Sequence, residues 1–180
     1  MENSKDLQGA PSFPRSVREG GDFDFSAQEQ SKPKSPPVLP TKRRGEVAEA
    51  AFLHKAATLG FSVSKPWGES DRYDFILDSG DHCWRVQVKS AHSSSLHGYS
   101  FRACGNVPTR RYTPRDIDFL VGYVVPDNVW YVLPIALFSA ITAVKVFPSS
   151  KRRMSRYELY REAWHYFGEP RIASPFTENK

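Results

Sequence analysis

Hydrophobic and polar positions follow two rhythms along this chain. From Gly45 to Leu59 the segment is Ala-rich, Phe52, Ala56 and Leu59 recur at helical spacing, and Gly60 stands where a left-handed residue ends a helix. The spacing predicts a helix over 45–59. A period of two then takes over. Phe61 to Lys65 reads as a short strand stopped by Pro66-Trp67-Gly68, and Tyr73 to Asp78 as a second strand followed by the turn Ser79-Gly80-Asp81. Cys83 to Lys89 alternates cleanly, with Trp84, Val86 and Val88 on one face and Arg85, Gln87 and Lys89 on the other. Tyr99 to Ala103 is a candidate fourth strand, and Ile117 to Val125 with Val129 to Leu133 flank Pro126-Asp127-Asn128 as a hairpin. Pro134 to Ala140 opens a short helix, and a strand follows near Val144 to Phe147. Ser155-Arg156-Tyr157-Glu158 has the form of a capping box, and a helix behind it would gather Tyr157, Tyr160, Trp164 and Phe167 on one face. Helix, mainly antiparallel strands, then helix is the order of an α+β (mixed α/β) domain.

Composition divides the chain. Residues 1–41 hold 6 of the 14 prolines, show no apolar period and carry 5 basic and 6 acidic groups. Such a segment buries too little to offset chain entropy, so a disordered tail is expected over 1–41, a domain over 42–168 and a flexible end over 169–180. The other 139 residues carry 20 basic and 14 acidic groups, so the +5 of the whole chain belongs to the folded part. A basic fold suits an anionic partner such as nucleic acid. Two cysteines make no disulfide scaffold and suit a reducing, cytoplasmic setting. The uncharged stretch from Val129 to Val144 contains Pro134 and is too short to span a bilayer, so no membrane partner is expected.

Four polar residues depart from the pattern. Glu49 falls along the apolar face of the first helix, three residues before Phe52. Asp74 opens a strand of otherwise apolar residues, and Gln87 and Lys89 project together from the next strand. If the two strands pair antiparallel, Asp74 lies across from Gln87 and Lys89. Two carboxylates, an amide oxygen and an ammonium then converge, a set suited to a hard cation beside an anionic substrate. His82, Cys83, His92, His97 and Cys104 form no compact ligand spacing for zinc.

Gly45-Glu46-Val47-Ala48-Glu49, Gly60-Phe61, Arg72-Tyr73-Asp74 and Val86-Gln87-Val88-Lys89 together resemble the PD-(D/E)XK nuclease superfamily. More narrowly, they are similar to its group I intron-encoded homing endonuclease branch. The resemblance covers roughly residues 42–167 and implies a restriction-endonuclease-like core. It further implies Asp74 as the principal metal carboxylate, Glu49 as a helix-borne second, Gln87 at the D/E position, Lys89 as the signature lysine and Val88 as a backbone carbonyl ligand. Mg²⁺, with Mn²⁺ as a substitute, is the implied cofactor, DNA the implied substrate, and a homo-oligomer (dimer or tetramer) the implied assembly. Gln87 departs from the acidic residue of the signature and removes one negative charge, although a Q-x-K form also resembles the intron-endonuclease branch.

Basic side chains offer phosphate contacts at Arg110, Arg111, Lys151, Arg152, Arg153 and Arg156, with Tyr112 beside them as a sugar or base contact. The leading expectation is a metal-dependent DNA endonuclease of homing type. A non-catalytic nucleic-acid-binding module with a nuclease-like fold, or a structure-selective nuclease such as a junction resolvase, fits the same residues. The apolar region 119–147 offers either a core or an oligomer interface.

Overall fold

The computed structural model describes residues 39–68, 70–95, 98–105, 110–138, 140–150 and 154–170. Most of the expected N-terminal tail (1–38), the candidate contacts Lys151, Arg152 and Arg153, and 171–180 lie outside the described residues.

Helix α1 runs Thr41–Thr58. It ends where Gly60 enters the left-handed region at φ 89°. The Gly60 N–H donates to the Ala57 carbonyl at 3.0 Å and the Phe61 N–H to the Ala56 carbonyl at 3.1 Å, closing the last turn. Strands β1 (Ser62–Ser64), β2 (Phe75–Asp78), β3 (Cys83–Ala91), β5 (Phe119–Val124) and β6 (Val129–Pro134) form a sheet in the order β1-β2-β3-β5-β6. All neighbours are antiparallel except β3 and β5, which run parallel. The sheet is therefore mixed, because the long excursion between β3 and β5 returns the chain in the same direction. That excursion contains β4 (Tyr99–Arg102), which leaves the main sheet and pairs with β7 (Ala143–Val146) as a separate ribbon.

Each face of the sheet buries its own core. Ala48, Phe52 and Ala56 of α1 pack on Phe75, Leu77, Val86, Val88, Val121 and Val132, together with Trp130, Trp164 and Phe167. On the other face Leu120, Val124, Tyr131 and Leu133 meet Phe101, Val144 and Val146 of the ribbon. Strand alternation sends successive residues of β5 and β6 into opposite cores. The region 119–147 is thus largely occupied in building the cores.

The C-terminal segment corrects the expected helix. Two short 3-10 turns, Glu158–Tyr160 and Trp164–Phe167, replace it. A continuous helix would hold Tyr157 and Trp164 on one face, yet Tyr157 belongs to the ribbon-side core and Trp164 to the α1-side core. The chain turns the corner at Glu162, which adopts φ 48°. There its N–H donates to the Trp130 carbonyl at 2.8 Å, and its carboxylate accepts the Trp130 N–H at 2.8 Å, covering the edge of β6. Glu158 does not complete a capping box; it accepts the Tyr131 hydroxyl at 3.1 Å and pairs with Arg161 at 3.1 Å.

Candidate active site

The site begins with unequal strand lengths. β2 pairs only with Cys83–Val86, so the same edge of β3 is open from Gln87 onward. Asp74, the residue before β2, sits at this step. Its N–H donates to the Val86 carbonyl at 2.9 Å. Its carboxylate Oδ2 accepts the Val88 N–H at 2.7 Å, taking the place of a ladder carbonyl. In an extended strand the N–H and C=O of one residue point to the same side, so the Val88 carbonyl also faces the open edge. Gln87 is 6% exposed, and its amide nitrogen donates to Asp74 Oδ2 and, at 3.3 Å, to the Val88 carbonyl.

Lys89 projects beside Gln87 toward the ribbon. Its register partner on β5 is Gly122, where a Cβ would lie 2.7 Å from the Phe101 ring. The ring therefore occupies the space that a side chain at 122 would take. Burial pushes the Lys89 ammonium below its ordinary pKa, while Asp74 pulls it back up. Burial pushes the Asp74 carboxyl up, opposed by the Val88 N–H and Lys89 and reinforced by Glu49. Glu49 reaches the site from α1, half-buried, with the Lys65 ammonium 2.8 Å away. A cavity of about 440 Å³ brings together Glu49, Asp74, Gln87, Val88 and Lys89.

The other candidates lie elsewhere. Arg110 and Arg111 are exposed, and their carbonyls accept Arg72 at 3.0 and 3.2 Å. Tyr112 is a correction: it is 4% exposed, packed in the ribbon-side core and covered by the Arg72 guanidinium 4.9 Å from its ring. Burial pushes its hydroxyl up to about 12. Its apolar ring fills the core and is not presented to a sugar or base. Arg156 is exposed and lies over the Tyr157 ring at 4.8 Å. Arg44, Ser100 and Arg102 line the cavity but escaped sequence reasoning, and His92, weighed there only as a zinc ligand, lines it too. Neither the turn of α1 that carries Arg44 nor the departure of β4 from the sheet has a signature in the local pattern.

The donors at the open edge fit a hard divalent cation. Asp74 is a partly buried carboxylate next to Glu49, and among the described residues it has no ion pair. A cation would compensate both charges. Among the described residues no cluster of three or more His, Cys, Asp and Glu side chains is placed to hold a metal, so two carboxylates need help from the Val88 carbonyl and the Gln87 amide oxygen. As folded, the Gln87 nitrogen serves Asp74, which leaves its oxygen as the atom available to a cation. Both cysteines are free, Cys83 exposed and Cys104 buried. No helix among the described residues is long and apolar enough to cross a membrane.

The profile of the PD-(D/E)XK endonuclease family matches residues 39–167. The solved structure of the bacterial homing endonuclease I-Ssp6803I is similar at 31% identity and a TM-score of 0.65, over 71% of this chain and 93% of that one. No curated protein matches. The matched span includes α1, the whole mixed sheet and every residue of the cavity, and on that basis the chain belongs to the PD-(D/E)XK endonuclease family.

Proposed function

We propose that this endonuclease is a metal-dependent DNA hydrolase of the site-specific, homing type. One observation carries the reading: the short β2 leaves β3 open at Val88, and Asp74, Glu49, Gln87 and Lys89 converge on that opening. Asp74, Glu49, the Val88 carbonyl and the Gln87 amide oxygen would hold Mg²⁺ or Mn²⁺. When bound, the cation supplies charge neutralisation at the scissile phosphate and a more acidic water. Gln87 and the Val88 N–H fix the Asp74 carboxylate through two donors, so its geometry is set before substrate arrives. Lys89, half-desolvated, places its N–H donors where negative charge develops on the phosphate, and such a charge acts more strongly in a low-dielectric site. Glu49 adds the second carboxylate from a separate element. Arg110, Arg111 and Arg156 are proposed as phosphate contacts outside the cavity, and Lys151, Arg152 and Arg153 are proposed as phosphate contacts from the sequence. A homo-oligomer is proposed because cutting both strands of a duplex takes two such sites.

The test is cleavage of supercoiled plasmid, a linear duplex and a four-way junction by the wild type, Asp74→Asn and Lys89→Ala, with Mg²⁺, Mn²⁺ or EDTA. Cutting that needs the metal and vanishes in both variants supports the proposal. Junction-only cutting would replace it with a structure-selective nuclease. Binding without cutting would favour the non-catalytic module, for which Gln87 at the acidic position is the specific feature.

A further inference from the structure

We propose that Arg44, Arg102 and Lys145 form a phosphate track leading a DNA backbone into the cavity, an inference that rests on the nuclease reading above. Arg44 stands in the first turns of α1 and lines the cavity. Its Nη2 donates to Thr41 Oγ1 at 3.1 Å, but its Nε–H is sealed from solvent with no hydrogen-bond partner among the described residues. A buried donor left unmade is costly and uncommon, and a rotation of the guanidinium toward an anion in the cavity would satisfy it. Arg102 enters the same cavity from β4 and is close enough to Lys89 to oppose its charge.

The ribbon extends this charge outward. Ser100 pairs with Lys145 and Arg102 with Ala143, so Ser100, Arg102 and Lys145 share the face opposite buried Phe101, Val144 and Val146. The Phe101 ring in the space over Gly122 anchors the inner face, which turns the basic face away from the core. Arg43, Arg72, Arg85 and Arg161 are each engaged by a carboxylate. Arg44, Arg102 and Lys145 have no ion pair among the described residues. Two cations, from α1 and β4, thus line a cavity whose own carboxylates are occupied by Lys65 or by backbone and amide donors, and Lys145 of β7 continues the charge along the ribbon face outside it. A polyanion threading past Lys89 supplies the missing counter-charge, and phosphate contacts of this kind position the substrate without reading its sequence.

The experiment measures binding of a fluorescein-labelled DNA duplex by anisotropy across a salt series, on an Asp74→Asn background so that the duplex stays intact. Arg44→Gln, Arg102→Gln and Lys145→Gln are each expected to weaken binding about tenfold, equivalent to about 1.4 kcal/mol. The triple variant should lower the log–log salt slope by about 2–3, at about 0.9 per phosphate released. Arg43→Gln, an equal charge change one residue away but on a side chain paired with Glu46, should leave affinity and slope unchanged. Arg44→Lys and Arg102→Lys should retain most of the affinity, and thermal melting identifies any variant that fails to fold. A triple variant that folds and keeps the wild-type slope overturns the track, as does an equal loss in Arg43→Gln. Failure of the nuclease reading looks different: the wild type leaves every substrate uncut, whatever the slope.

Discussion

The carboxylate of Asp74 accepts the backbone N–H of Val88 at 2.7 Å and so continues, with a side chain, the ladder that β2 has just begun. This relationship places a negative charge at the only step between a short strand and a longer neighbour on that edge of β3. It also ties the position of the charge to the backbone rather than to a flexible loop.

Asp74→Asn is expected to abolish cleavage while raising the melting temperature of the metal-free protein. Burial raises the Asp74 pKa, so the folded state favours the protonated form and the ionised form opposes folding. That cost is absent below the ordinary carboxylate pKa of ~3.9, grows as pH rises through the folded-state value and is constant above it. Melting in EDTA should therefore show the variant ahead at neutral pH, with the gap closing toward about pH 4. Saturating Mg²⁺ should reverse the order by stabilising only the wild type. Equal melting of the two proteins at every pH in EDTA would count against a strained Asp74.

Lys89→Met should lower kcat roughly 10²–10³-fold, the loss typical of removing one donor aimed at developing charge. Binding to an uncut duplex should change little, because Lys89 is half-buried behind the cavity mouth. A variant with normal kcat and a raised KM would assign Lys89 to binding alone.

Gln87→Glu should tighten metal binding about tenfold by adding ligand charge and destabilise the metal-free protein by about 1–3 kcal/mol. The Gln87 amide donates to Asp74, whereas a carboxylate there faces a like charge in a buried setting. Mn²⁺ titration and melting in EDTA read the two effects separately. Weaker metal binding in Gln87→Glu would show that the amide is needed to orient Asp74.

Gly122→Ala should cost about 1–3 kcal/mol, because its Cβ would lie 2.7 Å from the Phe101 ring. Phe101→Leu in the same chain should restore part of the loss, as read by chemical denaturation. Additive losses in the double variant would place the strain elsewhere.

Glu162→Ala should destabilise by about 2 kcal/mol or more. It strands the Trp130 N–H and the Trp164 indole N–H, which the carboxylate accepts at 2.8 and 3.0 Å, and it leaves alanine at φ 48°. Cleavage per folded molecule should be unchanged, since Glu162 lies outside the cavity.

Much of the main chain was legible because its signals are local. Gly60 announces the end of α1, and the alternation in Cys83–Lys89 separates Val86 and Val88 from Gln87 and Lys89 before any partner strand is known. Glu49 and Asp74 stood out because each is polar where the period expects an apolar residue, and Gln87 and Lys89 because they project together from one face of the next strand. Tyr112 and the Ser155-x-x-Glu158 segment misled for the complementary reason. Each has the local form of a surface contact or a capped helix, yet each is claimed by a partner distant in sequence: Arg72 for Tyr112, Tyr131 for Glu158.

The sequence by itself determined which polar residues are candidates for chemistry and which face of each strand they occupy, since side-chain direction follows from backbone period alone. Tertiary structure decided the parallel pairing of β3 with β5, the departure of β4 to join β7, and the turn at Glu162 around the sheet edge. It also decided that Arg44 and Arg102 share a cavity with the carboxylates. These outcomes depend on where chain segments far apart in sequence come to rest. That is settled by which apolar faces can be buried together, a competition among all segments at once that no local window contains.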